Sequence, residues 1–161
     1  MKKLLVLSLL VLFFTPRTNA QLTAKPTCGV FSVDILNGTL NNLKPNFKMP
    51  EIKENLPCFT GETKGDSACG DALFFKDRDV KFFVKRQYIE LGPNFKGKLS
   101  IPLMGADRET LFKWLGNPKI KDPDWDAFQT QYGTLVLHYA AGKVKVIQFS
   151  TKNTDELSLC Q

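Results

Sequence analysis

From Phe31 the chain alternates, with Phe31, Val33 and Ile35 apolar and Ser32 and Asp34 polar between them. That two-residue period marks a strand with one buried face. Asn37-Gly38 follows, then Thr39–Leu43. An Asn-Gly pair takes positive φ cheaply and closes two-residue hairpins, so residues 30–43 are expected as a β-hairpin. The period changes over residues 48–57, where Ile52 and Leu56 share a helical face, Pro50 suits a first turn and Glu51 and Glu54 sit near its positive end. Pro57 then stops the helix. Thr60–Gly70 carries Gly61, Gly65 and Gly70 among alternating charges and reads as a loop. The β pattern returns in Leu73–Lys76 and Val80–Lys85, a hairpin about Asp77-Arg78-Asp79, followed by Tyr88–Leu91 and an extended piece, Lys98–Leu103. Residues 107–115 form the clearest helix: Asp107 is placed to cap it, Leu111 and Leu115 share a face, and Gly116 and Pro118 end it. A loop over 119–133, containing Trp125 and Phe128, leads to a last hairpin of Leu135–Tyr139 and Val144–Ser150.

Ahead of this pattern stands a segment of a different kind. Lys2 and Lys3 precede the apolar run Leu4–Phe14, and Thr18-Asn19-Ala20 supplies small residues for a signal peptidase, which places cleavage after Ala20. The apolar run falls well short of the roughly 20 residues that span a bilayer. The chain is therefore expected to be secreted or periplasmic, without stable membrane insertion. Lys2, Lys3 and Arg17 leave with the leader and take three charges from the formal +6. The remaining excess is spread along the chain and serves solubility. Cys28, Cys58, Cys69 and Cys160 all follow the leader, so in an oxidising compartment they read as two disulfides. Spacing leaves three connectivities open. We expect Cys58–Cys69 across the Gly-rich loop, and Cys28–Cys160 joining the two ends.

The helix and hairpin occur twice. Ile52…Leu56-Pro57 matches Leu111…Leu115-Gly116, and Leu73-Phe74-Phe75…Val80-Lys81-Phe82-Phe83 matches Leu137-His138-Tyr139…Val144-Lys145-Val146-Ile147. One such unit is too small to be stable alone, so two are expected to share or abut a sheet. The fold class follows as α+β: two tandem units of short helix, loop and antiparallel β-hairpin in helix-on-sheet layers, over residues 21–104 and 105–161. The second unit, with Leu115-Gly116-Asn117-Pro118, Trp125, Tyr132-Gly133, Leu135-Val136-Leu137 and Gly142-Lys143-Val144, resembles two groups of small exported bacterial proteins. These are the β-lactamase inhibitory protein-like domains and the SmpA/OmlA-type outer-membrane assembly lipoproteins. The doubled unit is more similar to the former, and the absence of a lipidation cysteine after the leader departs from the latter. The resemblance rests on capping, turn and packing residues, so it implies a fold and transfers no functional residue.

Candidate chemistry is sparse. His138 is the sole histidine and alternates away from Leu135, Leu137 and Tyr139. No serine stands in a nucleophile-elbow sequence, no Cys-x-x-Cys pair occurs, and no calcium-loop spacing is present. No cofactor or metal is expected. Lys81, Lys85 and Arg86 interleave with Phe82, Phe83 and Tyr88, a pattern found in stacking platforms for single-stranded nucleic acid. It equally describes a half-buried sheet with a lysine-rich edge, and export argues against a nucleic-acid partner. The adjacent pairs Phe74/Phe75 and Phe82/Phe83 put aromatics on both faces of the sheet. A candidate binding face is thus Phe74, Phe83, Tyr88, Trp125, Phe128 and His138, with the loops at 60–70 and 119–133 as the other candidate. The expected function is a non-enzymatic module that binds another exported protein. A hydrolytic or carbohydrate-active module using pairs such as Glu62/Asp66 or Asp77/Asp79 is the alternative, and a structural envelope component is a third.

Overall fold

The computed structural model describes residues 26–65 and 68–160, so the expected leader and its cleavage point lie outside the described residues. In chain order the elements are β1 (Phe31–Asp34), β2 (Thr39–Leu40), α1 (Met49–Asn55), β3 (Gly61–Thr63), β4 (Ala72–Phe75), β5 (Val80–Phe83), β6 (Tyr88–Leu91), β7 (Gly97–Leu99), α2 (Arg108–Leu115), β8 (Ile120–Lys121), β9 (Trp125–Gln129), β10 (Thr134–Ala140) and β11 (Lys143–Ser150). The class is α+β, mostly sheet with two short helices.

One antiparallel sheet runs β3-β4-β5-β6-β11-β10-β9-β8. Its middle is the pairing of β6 with β11, Ile147 opposite Leu91 and Phe149 opposite Ile89. On either side the strands follow in sequence order, so residues 21–104 and 105–161 contribute to a single shared sheet. By place in the sheet, β5–β6 corresponds to β10–β11. That is one strand along from the match of β4–β5 with β10–β11 read in the sequence, because a local pattern does not show which strand will sit at the centre.

Side chains on one face of this sheet form two apolar rows. Leu73, Phe82, Ile89, Phe149, Leu135 and Phe128 make the first, and Phe75, Val80, Leu91, Ile147 and Leu137 the second, which ends at Asp126. All of them are buried. The cover comes from Phe31, Val33, Ile35, Leu40 and Leu43, with Ile52 and Leu56 of the α1 region and Leu111 of α2. Each such side chain contributes about 1.5–3 kcal/mol by leaving water. Phe31 meets Phe75 edge-on at 5.3 Å between centroids, which seats the N-terminal hairpin on the sheet.

That hairpin differs from expectation. Asp34 pairs with Thr39, leaving a four-residue turn in place of a two-residue Asn-Gly turn. The Asp34 carboxylate closes it, accepting from the Leu36 and Asn37 amides at 3.0 and 3.2 Å and from the Asn37 side chain at 2.7 Å. Gly38 is still required: its φ is +61°, and a Cβ there would strike the Tyr132 ring. The other edge of β1 pairs in parallel with β7, which is shorter than the extended 98–103 piece expected.

Both helices begin as their sequences suggest, with one exchange of partner. In α1 the Glu51 carboxylate accepts from the Lys48 amide at 2.8 Å. At α2 the Asp107 side chain binds Lys143 at 2.7 Å and no helix amide, while its carbonyl takes the Thr110 amide. Arg108 fastens this helix to the sheet. Its guanidinium grips the fully buried Asp126 at 2.9 and 2.5 Å, lies over the Tyr139 ring, and donates to the carbonyls of Asp122 and Pro123. The hydrogen bond to Asp126 is the main reason its pKa is raised.

The disulfides are Cys28–Cys58 and Cys69–Cys160, each with a Cα separation of 5.4 Å. This corrects the expected pairing of Cys58 with Cys69 and of Cys28 with Cys160. Cys28 lies just before β1 and Cys58 just after α1, and both pack against the helix-side core. Cys69 and Cys160 meet on the opposite side of the sheet, in a separate cluster with Ala72, Phe83 and Tyr88. The shared sheet sets apart two cysteines that are near in sequence.

Candidate binding face

Side chains that alternate to the other face make three rows across the strands. One runs Thr63, Ala72, Phe83, Tyr88, Ser150, Thr134, Gln129. The next runs Gly61, Phe74, Lys81, Glu90, Gln148, Val136, Ala127, Ile120 and so touches all eight strands. A third, shorter row places Val146 beside His138 and His138 beside Trp125.

The first row is covered by the chain itself. After β11, residues 151–160 cross the ends of the strands as a strap. Near β9 it is tied by Gln129, which accepts from the Thr154 hydroxyl at 2.7 Å and donates to Asn153, and by Thr134, which donates to the Lys152 carbonyl. Lys119 pairs with Asp155. At the far end Arg86 donates to the Ser158 hydroxyl at 2.6 Å and to the carbonyls of Leu159 and Ala68. The Cys160 amide donates to the Tyr88 hydroxyl at 3.0 Å, and the Cys69–Cys160 disulfide finishes the closure. Phe83 and Tyr88 stack beneath it, 4.4 Å between centroids. Burial pushes the Tyr88 phenol up to about 12.

The second and third rows have no such strap, although Gln148, Val136 and Ala127 in the second are buried, at 4%, 1% and 0% exposure. Phe74, Lys81, His138, Val146 and Trp125 are half-buried and Ile120 is 38% exposed. Val136, Ala127, Val146, Trp125 and Ile120 belong to neither apolar cluster of the described residues. The polar centre is internally bonded. Lys81 donates to Glu90 Oε1 at 2.7 Å, Gln148 Nε2 donates to Glu90 Oε2 at 2.8 Å, and Gln148 Oε1 lies 2.8 Å from His138 Nε2. Glu90 accepts from both sides, so it needs the amide nitrogen of Gln148 turned toward it. The Gln148 oxygen is then left for His138, and Nε2 must carry the proton. This fixes the imidazole so that Nδ1 is the nitrogen with no role in the row. The His138 ring is tilted beside that of Trp125, 6.5 Å between centroids.

Of the six residues expected on a binding face, Phe74, Trp125 and His138 are on the open part. Phe83, at 7% exposure, and Tyr88, at 0%, share that side of the sheet but lie under the strap. Phe128 belongs to the helix-side core at 2% exposure and is withdrawn from the face. The loop expected at 119–133 contains two strands, β8 and β9, and part of the 60–70 loop is β3. These segments form the two edges of the sheet. Sequence reasoning missed Glu90, Gln148, Val146 and Ile120. Their alignment depends on the β6–β11 pairing, for which no local signal exists.

Other chemistry is dispersed. Asp34 and Glu62 have carboxyls held below the usual range, Asp34 chiefly by the Asn37 side chain and Glu62 chiefly by its hydrogen bond to Lys53. Both are thereby kept ionised, the opposite of what a general acid requires. Asp79 is tied to the Asn94 amide at 2.8 Å. Asp66 lies outside the described residues. Among the described residues no three His, Cys, Asp or Glu side chains gather into a metal site, and no helix is long and apolar enough to cross a membrane. No family model, curated protein or solved structure matches this chain.

Proposed function

We propose that this chain is an exported, non-enzymatic binding protein that docks another exported protein on the open face of its sheet. The observation that carries the reading is the strip across the sheet that the strap leaves uncovered, with half-buried Phe74 near one edge, Trp125 and the exposed Ile120 toward the other, and the bonded Lys81–Glu90–Gln148 centre between. Phe74 on β4 and Trp125 on β9 are five inter-strand spacings apart, roughly 24 Å. That span exceeds a small ligand and suits a protein surface. Aromatic anchors around a polar centre with little net charge are the composition of a specific protein interface. The paired disulfides and the leader-like pattern of residues 1–20 support export. A relationship to the β-lactamase inhibitory protein-like domains, through a tandem helix-and-sheet unit, belongs to the same proposal. It is supported by the order of one helix followed by four antiparallel strands on each side of the β6–β11 seam.

The test is crosslinking and recovery of partners from envelope and medium fractions with oxidised protein spanning residues 21–161. One stoichiometric protein is expected. Trp125→Ala and Phe74→Ala should each weaken its capture, while Trp114→Ala, 55% exposed on α2, should not. Loss of capture only with Trp114→Ala would move the site to the helix side. A folded sample that recovers no partner would overturn the proposal.

A further inference from the structure

The strap is not uniform along its length. Its near half is built in: Thr154 is buried at 6% exposure and, with Gln129 and Thr134, ties residues 152–154 to the strand ends. In the far half Asp155, Glu156 and Ser158 are exposed, and only Leu159 and Cys160 pack against the sheet. What that half covers is apolar, the stacked pair Phe83 and Tyr88 with Ala72, directly alongside the open row that begins at Phe74. A surface depression of about 320 Å³ reaches the closing bond, lined by Cys69, Gly70, Lys85, Arg86, Lys152 and Ser158. Lys85, Arg86 and Lys152 in this lining make it attractive to an anionic thiol. Cys28–Cys58 packs against the main core and borders a depression of its own, whose lining includes Arg78 and Lys96 but no strap residue.

We propose that residues 155–160 are a disulfide-locked latch, and that reduction of Cys69–Cys160 uncovers the Phe83–Tyr88 row as an apolar extension of the open face. The step is thiol–disulfide exchange with a dithiol reductant. A reductant thiolate attacks the bond, a mixed disulfide forms, and the second reductant thiol resolves it. The reductant leaves as its disulfide, and Cys69 and Cys160 each gain a proton and share the two electrons. The opened protein then has two aromatic rows for a partner in place of one. The inference rests on the face assigned above only for what the uncovered row would bind. The opening itself is independent of that assignment.

Two measurements test it. In the first, oxidised protein and the Cys69→Ser/Cys160→Ser variant are compared by hydrogen exchange and by binding of a hydrophobic dye. The residue-160 amide, bonded to Tyr88 in the closed form, should exchange at least about tenfold faster in the variant. Amides of 151–154 and of β4–β6 should be unchanged, and dye binding should rise. Unchanged protection at residue 160 would show that Arg86 and the Lys119–Asp155 pair hold the strap without the disulfide and would overturn the latch. A general rise in exchange through β4–β6 would make the disulfide purely structural and would overturn it equally. In the second, dithiothreitol is titrated in with alkylation of released thiols. Cys69 and Cys160 should be trapped before Cys28 and Cys58, and the reverse order would overturn the proposal.

Discussion

The two faces of the large sheet draw on the same strands and meet opposite fates. On the helix side both long cross-strand rows are apolar from β4 to β10, and the N-terminal hairpin, α1 and α2 close over them. On the other side one row is covered by residues 151–160, and the adjoining rows mix half-buried aromatic and charged groups with the buried Gln148, Val136 and Ala127. Both faces bury polar groups, but differently. Asp126 is a single charge clamped by Arg108, whereas the buried Gln148 is one link of a bonded chain whose other members, Glu90 and Lys81, are half-buried. The helix face is organised to hold the molecule together. The strap face is organised to present residues without collapsing onto them.

The largest separation between the faces should come from large-to-small substitution. Phe82→Ala, in the helix-side core, is expected to cost about 3–5 kcal/mol in denaturant unfolding. Trp125→Ala, half-buried on the open face, should cost no more than about 1 kcal/mol. Equal losses would mean that the open face is structural. Next in size, Arg108→Ala leaves the Asp126 carboxylate buried without its cation. A loss of about 3 kcal/mol or more is expected at neutral pH, partly recovered in Arg108→Ala/Asp126→Asn. No recovery would place the role of Arg108 in its carbonyl bonds to residues 122 and 123 instead.

The smallest expected effect concerns alkaline pH. All three tyrosines, Tyr88, Tyr132 and Tyr139, are raised, in each case first by burial. A raised phenol binds its proton more tightly in the folded chain than in the unfolded one, where it titrates near 10. Its stabilisation is therefore complete below about pH 10 and is lost as pH rises toward about 12, the Tyr88 value. Tyrosinate absorbance followed against pH should show little ionisation until unfolding begins. In the Cys69→Ser/Cys160→Ser variant one tyrosine should titrate earlier, since Tyr88 would lose its cover. An unchanged profile there would mean that the sheet alone, without the strap, keeps Tyr88 dry.

Local elements were legible because their signals are local. The alternation at Phe31–Ile35, the Pro50 and Gly116 boundaries of the helices and the final hairpin about Ala140–Lys143 each depend on residues within a few positions of one another. Where the sequence misled, a second partner decided the matter. Asp34 has an Asn37 side chain to bond, which turned a two-residue hairpin into a four-residue turn. Trp125–Gln129 is too short and too mixed to show a period, and becomes a strand because β10 and β8 flank it.

Short-range signals specify the α+β mixture, the positions of both helices and most strands, and the cysteines for two disulfides. Tertiary structure alone decided which cysteines pair and which aromatics face outward. Both depend on β6 meeting β11 across more than fifty residues, a contact whose register no short-range pattern encodes. Once that seam forms, period-two alternation turns Phe128 inward and Trp125 outward. The same seam aligns Lys81, Glu90 and Gln148 into one row and brings Cys160 over Cys69.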